Sequence, residues 1–84
     1  MSINKEIVFR KEFDGSGLLF DPNSGETFGL NRTSAFLWEK FAEGMDETGA
    51  FEALKAVCGE NLPETAAADI NAFAAQLKAK KFLI

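Results

Sequence analysis

The sequence predicts one α+β domain over residues 1–84, a three-stranded antiparallel meander followed by a three-helix bundle, winged-helix-like in outline. Three observations predict it. Glycine is concentrated before residue 31, whereas every alanine and most of the leucines follow it; glycine punctuates turns, and alanine and leucine favour helix. In the first part, short apolar runs alternate with dense turn signals. In the second, apolar residues recur at steps of three and four, the spacing of a helix face.

In Ile7-Val8-Phe9-Arg10-Lys11-Glu12-Phe13, period two places Ile7, Phe9 and Phe13 on one face, with Lys11 as the exception. Asp14-Gly15-Ser16-Gly17 reads as a turn, since Gly and Asp tolerate the left-handed backbone of a tight reversal. Leu18-Leu19-Phe20 is the second strand, stopped by Asp21-Pro22-Asn23-Ser24-Gly25. Glu26-Thr27-Phe28-Gly29-Leu30 is the third, with Phe28 and Leu30 on one face. In such a meander the first and third strands form the edges.

Asn31 and Thr33 are both N-cap types for a helix through about Ala42, with Phe36, Leu37, Trp38 and Phe41 on its apolar side and Gly44 ending it. Asp46 is suited to cap a second helix, in which Phe51, Leu54 and Val57 or Cys58 fall at helical spacing and Gly59 closes. Leu62-Pro63-Glu64 is expected to open the third, because Pro fits a first turn and Glu suits the positive dipole end. Ala66, Ile70, Phe73 and Leu77 share its apolar face, and Lys78, Lys80 and Lys81 gather at its C-terminal end. Phe82-Leu83-Ile84 is an apolar tail that either folds back onto the core or frays.

Nine Lys and Arg against thirteen Asp and Glu give a net charge of −4, which repels a phosphate backbone on average. There is no His and one Cys, Cys58. Imidazole general bases, Ser-His and Cys-His pairs, internal disulfides and Cys-rich zinc sites are therefore unavailable. The first residues have no signal-peptide character, and no run approaches the ~20 apolar residues of a membrane span. The expectation is a cytoplasmic, non-catalytic protein without cofactor or metal.

Each candidate site has an ordinary structural reading. Cys58 reads as a small buried hydrophobe, with no cationic neighbour to lower its pKa. Glu39, Glu43, Asp46 and Glu47 read as a solvated acidic surface, lacking the alternate ligands and central Gly of a calcium loop. Gly15-Ser16-Gly17 joins two strands and opens no helix, so it is a hairpin turn and not a phosphate loop. The third helix lacks the exposed Arg, Lys, Asn and Gln of a base-reading helix.

What remains is the third strand and the third helix. The helix carries alanines at positions 67, 68, 72, 74, 75 and 79, small side chains that let another chain lie close. The strand is an edge, and Gly29 has no side chain to block approach. An edge strand offers unpaired N–H and C=O groups to an extended peptide, with backbone bonds giving affinity and alternate side chains selectivity. The spacing is equally compatible with alanine merely raising helix propensity and the edge staying solvated.

The run from Phe9 to Pro22, followed by Gly25 to Trp38, resembles the PqqD-like family, the pyrroloquinoline quinone biosynthesis D proteins and the related precursor-peptide recognition elements. Leu30, Asn31, Thr33 and Trp38, in a Leu-Asn-x-Thr-x-x-x-x-Trp pattern, and Gly44 carry most of the resemblance, which covers nearly the whole chain. It implies a peptide chaperone without catalysis of its own. Such a protein holds the leader of a ribosomally synthesised precursor peptide and presents the rest to a partner, often a radical S-adenosylmethionine modifying enzyme. It also implies that the leader pairs with the third strand and packs against the third helix. On this chain those positions are Glu26, Thr27, Phe28, Gly29 and Leu30, facing Ala67, Ile70, Asn71, Ala74, Leu77 and Lys78. A carboxylate placed at Ala74 should then disfavour an apolar peptide side chain. Thr48-Gly49-Ala50-Phe51 departs from the family's pattern and predicts an irregular start to the second helix. With the sequence ending at Ile84, the catalyst is expected to be a separate protein. Leu30 and Trp38 are expected in the core and Asn31 as a cap.

The alternative from another class is a winged-helix module that binds DNA or a regulatory protein. A weak homodimer pairing its own edge strands is a third.

Overall fold

The computed structural model describes residues 2–84. Strands β1 (Val8–Lys11), β2 (Gly17–Phe20) and β3 (Thr27–Leu30) form an antiparallel sheet in sequence order. Helices α1 (Arg32–Ala42), α2 (Glu47–Cys58) and α3 (Ala66–Ala79) follow, with a single 3-10 turn, Gly59–Asn61, after α2. The α+β architecture is the one the composition change predicts.

Register explains the core. Phe9 pairs with Leu19 and Leu19 with Phe28, while Gly17 pairs with Leu30. Residues directly opposite share a face, so Phe9, Gly17, Leu19, Phe28 and Leu30 all turn toward the helices. There Leu19, Leu30, Leu37, Trp38, Phe41, Ile70, Phe73 and Leu77 join one buried cluster. The rings pack pairwise, with Phe9 6.5 Å from Trp38 and Phe41 6.2 Å from Phe73 between centroids. Gly17 is required where it stands, since a Cβ there would lie 2.6 Å from the Phe9 ring.

The caps follow the sequence. Asn31 Oδ1 accepts from the Ser34 amide at 2.8 Å, and Asp46 Oδ1 from the Gly49 amide at 2.9 Å, each satisfying one orphan donor of a helix start. Gly44, at φ 97°, closes α1 with its N–H on the Phe41 carbonyl while the Met45 N–H reaches Lys40. This is the paired bonding of a Schellman end.

Five expectations change or are resolved. Phe13 is fully exposed and not on the β1 face, because the hairpin closes early: the Glu12 amide donates to Ser16 and Gly15 to Glu12. Val57 is 71% exposed, and it is Cys58 that packs against the core. The start of α2 is regular, Asp46 capping it despite Gly49. Pro63 and Glu64 precede α3 in a turn closed by the Ala66 amide on the Pro63 carbonyl, and the helix begins at Ala66. Finally, the tail folds back. The Phe82 amide bonds Leu77 across Lys81, which takes φ 64°, and the Asn4 amide bonds the Phe82 carbonyl at 2.8 Å. Ile3 and Leu83 form an antiparallel bridge, leaving Phe82 and Leu83 buried and Ile84 exposed.

Candidate functional site at the edge of the third strand

Strand β3 is paired on one side only. Which of its peptide groups are free follows from one bond: the Asp21 amide donates to the Glu26 carbonyl at 2.9 Å. Hydrogen-bonded and non-bonded pairs alternate along an antiparallel ladder. Leu19/Phe28 and Gly17/Leu30 are then bonded pairs, whereas Phe20/Thr27 and Leu18/Gly29 are not. The N–H and C=O of Thr27 and Gly29 therefore point outward. Among the described residues no other backbone group pairs with them.

The underside of this edge is aromatic. Phe28 is half-buried, its centroid 6.4 Å from both Phe73 on α3 and Phe82 in the tail. Lys80, at the C-cap of α3, places its ammonium 5.6 Å from the Phe28 centroid and pairs with Glu26. Strand and helix are thus tied at the Glu26 end. Phe73 and Lys80, two turns apart on α3, are the helix residues that approach β3.

The α3 positions named from the sequence divide differently. Ile70, Ala74 and Leu77 are buried at 2%, 1% and 0% exposure, so in the free chain they are core. A Glu at Ala74 would bury a carboxylate rather than tune a cleft. Ala67 and Asn71 line a shallow cleft of ≈ 150 Å³ with Glu47, Thr48 and Phe51 of α2, and Lys78 lies 3.8 Å from Glu47. That exposed stripe faces α2. Phe73 and Lys80, absent from the sequence-stated set, are the residues that meet β3. The stepping of apolar residues reveals the α3 stripe but not which flank of it adjoins the sheet.

On β3 itself, Thr27 and Gly29 are exposed, Glu26 and Phe28 half-buried, and Leu30 buried. A second, more apolar recess of ≈ 80 Å³ lies between the helices, lined by Leu37, Leu54, Cys58, Ala66 and Ile70 among others. Among the described residues no three His, Cys, Asp or Glu side chains converge as metal ligands. No helix of the described residues is long and apolar enough to cross a membrane.

Two solved structures share this architecture. TbiB1 in complex with the TbiA(beta) leader peptide matches with a TM-score of 0.80 and 25% identity, over 99% of this chain and 94% of that one. Lasso peptide synthetase B1 complexed with the leader peptide matches with a TM-score of 0.79 and 26% identity, over 98% and 94%. No curated protein sequence matches. The family model for coenzyme PQQ synthesis protein D matches residues 17–83, from the first residue of β2 into the folded-back tail, and the chain belongs to the PqqD family.

Proposed function

We propose that this protein is a leader-peptide recognition element without catalysis of its own. It binds the leader of a ribosomally made precursor peptide as a fourth strand on β3 and presents the remainder to a separate modifying enzyme of the radical S-adenosylmethionine class. The observation that carries the reading is the open outer edge of β3, where Thr27 and Gly29 direct unpaired peptide groups outward beside α3. The two structural neighbours, both complexes with leader peptides, support it.

An extended peptide would take its backbone bonds from Thr27 and Gly29, with alternate side chains turned down toward Phe28, Phe73 and Lys80. Ala67, Asn71 and Lys78 offer a second surface on the α2 side. Holding the leader makes the encounter of precursor and enzyme nearly intramolecular, raising the effective concentration without new contacts at the reacting centre.

The test is an amide-resolved NMR titration of the labelled protein with a synthetic peptide corresponding to the leader encoded beside its gene. Shifts at Thr27 and Gly29, with α3 shifts at residues 73 and 80, are the expected outcome. Shifts at Ala67, Asn71 and Lys78 without movement on β3 would relocate the site to the α2 side. No shift at millimolar peptide, with and without the neighbouring modifying enzyme, would reject leader recognition.

A further inference from the structure

The sheet face turned away from the helices is not polar. Across the three strands Val8, Phe20 and Thr27 form one row, and Arg10, Leu18 and Gly29 the next. Val8 is 53% and Phe20 37% exposed, and Leu18 is half-buried. This apolar surface runs to the β3 edge and ends at a notch, because a Cβ on Gly29 would meet nothing within 4 Å. Leu18 walls the notch on the β2 side, and Thr27 and Phe20 stand in the row beside it.

A strand added to β3 places one residue directly opposite Gly29, with its side chain on this outer face, since paired residues share a face. Resting on the leader-strand reading above, we propose that the notch over Gly29 is a specificity subsite for one aromatic side chain of the bound peptide. Laid across Gly29, the ring covers Leu18 and the edge of Phe20. Strands lie about 4.8 Å apart, so β2 is two spacings from the added strand and only a long side chain crosses Gly29 to reach it. Against the apolar Leu18 and Phe20 surface a flat ring fits better than a charged chain of that length. An aromatic partner also restores the cross-strand contact that an edge glycine lacks. The neighbouring peptide residues point to the opposite face, toward α3, so the subsite is separate from that cleft. The motif it selects is an outward aromatic between two inward side chains.

The closing experiment uses the same synthetic leader, with each residue in turn replaced by serine, titrated by fluorescence anisotropy against wild type, Gly29→Ala and Gly29→Val. Valine retains the N–H that the added strand needs, and the space around Gly29 is open, so fold and backbone pairing survive. Filling the notch should weaken the unsubstituted leader about tenfold for valine, the scale of one buried apolar side chain, and less for alanine. One aromatic leader residue should lose about tenfold on serine replacement with wild type and less than twofold with Gly29→Val. Unchanged affinity of Gly29→Val for the unsubstituted leader overturns the subsite. So do equal serine losses on both proteins, or tight binding of a leader with no aromatic residue in its bound stretch. If wild type binds no leader, or the Thr27 and Gly29 amides stay unmoved on binding, the strand-addition reading itself fails and takes the subsite with it.

Discussion

Strands β1 and β3 are both four-residue edges of one sheet, yet β1 carries Arg10 and Lys11 where β3 carries Thr27 and Gly29. The Glu12 amide bonds Ser16, so the ladder's alternation turns the peptide groups of Phe9 and Lys11 outward on β1, as those of Thr27 and Gly29 are on β3. What differs is the guard. Lys11 stands on the β1 edge, its ammonium 2.8 Å from Glu39 Oε1. Arg10 pairs with Glu12 beside it. A charged side chain on an edge discourages pairing with another chain. On β3 no charge stands between Glu26 and Arg32, and Glu26 is drawn under the strand to Lys80. One sheet thus has a defended edge and an accessible one, and the accessible edge is the one beside α3.

The largest expected effect concerns what holds each edge from beneath. Phe82 is fully buried against Phe28, so Phe82→Ala should cost about 3–5 kcal/mol, as for other buried Phe deletions. Phe9 supports β1 but is only half-buried, and Phe9→Ala should cost less, about 1–2 kcal/mol in proportion. Urea denaturation midpoints compare the two. Equal losses would mean that both edges are held from beneath alike, and this contrast between them would fall.

Next is the access to each edge. Proline removes an N–H and is tolerated only where that N–H faces away from the sheet. Gly29→Pro should leave the fold intact and weaken leader binding at least about tenfold, or 1.4 kcal/mol. Lys11→Pro, the matching change on β1, should alter affinity less than about twofold. If both substitutions weaken binding alike, the edges are equivalent and the comparison collapses.

The smallest effect belongs to the turn leading from β1. Asp14 accepts from the Ser16 hydroxyl at 2.7 Å and from the Ser16 amide at 2.9 Å. The Ser16 side-chain bond, then the backbone bond, with a weaker contribution from the Arg32 charge, hold its carboxyl below the ordinary value. A pKa lowered by folding means that the carboxylate contributes stability above its unfolded-state pKa, which is lost as pH falls through the folded value. Acidification should therefore loosen the β1–β2 turn, seen as faster exchange of the Ser16 amide once the intrinsic pH dependence is removed. Asp14→Asn should abolish that step. The β2–β3 turn, measured alongside, shows whether the effect is local.

Much of this fold was legible because its signals are local. Asn31, Asp46 and Gly44 act within a few residues of themselves, and the Ala66, Ile70, Phe73, Leu77 stripe is a property of one helix. Phe13 was misplaced because period two does not reveal where a ladder stops. The start of α3 slipped past Pro63 because a proline suited to a first turn is equally suited to the turn before it. The tail's partners lie some 80 residues away at Ile3 and Asn4, beyond any periodicity. At the site, the sequence identified the edge, a consequence of strand order, but not the α3 flank beside it. That flank is set by how α3 lies against the sheet, a relation fixed by Phe28, Phe73 and Lys80 together.

The pairing of the two chain ends has a mechanical consequence. Ser2 sits opposite Ile84, their amides and carbonyls exchanging bonds at 3.3 and 2.8 Å, and the Asn4–Phe82 bond lies further in. Tension applied between the ends therefore loads these bonds one after another, as a zipper, and not together in shear. The first bonds to part are those at Ile84, and the last before the core is reached are those of Asn4, whose amide holds the Phe82 carbonyl and whose side chain holds the Lys81 carbonyl at 3.1 Å. A pull on either end would peel the ribbon at low force until Phe82 itself has to leave the space beneath β3, where resistance rises abruptly.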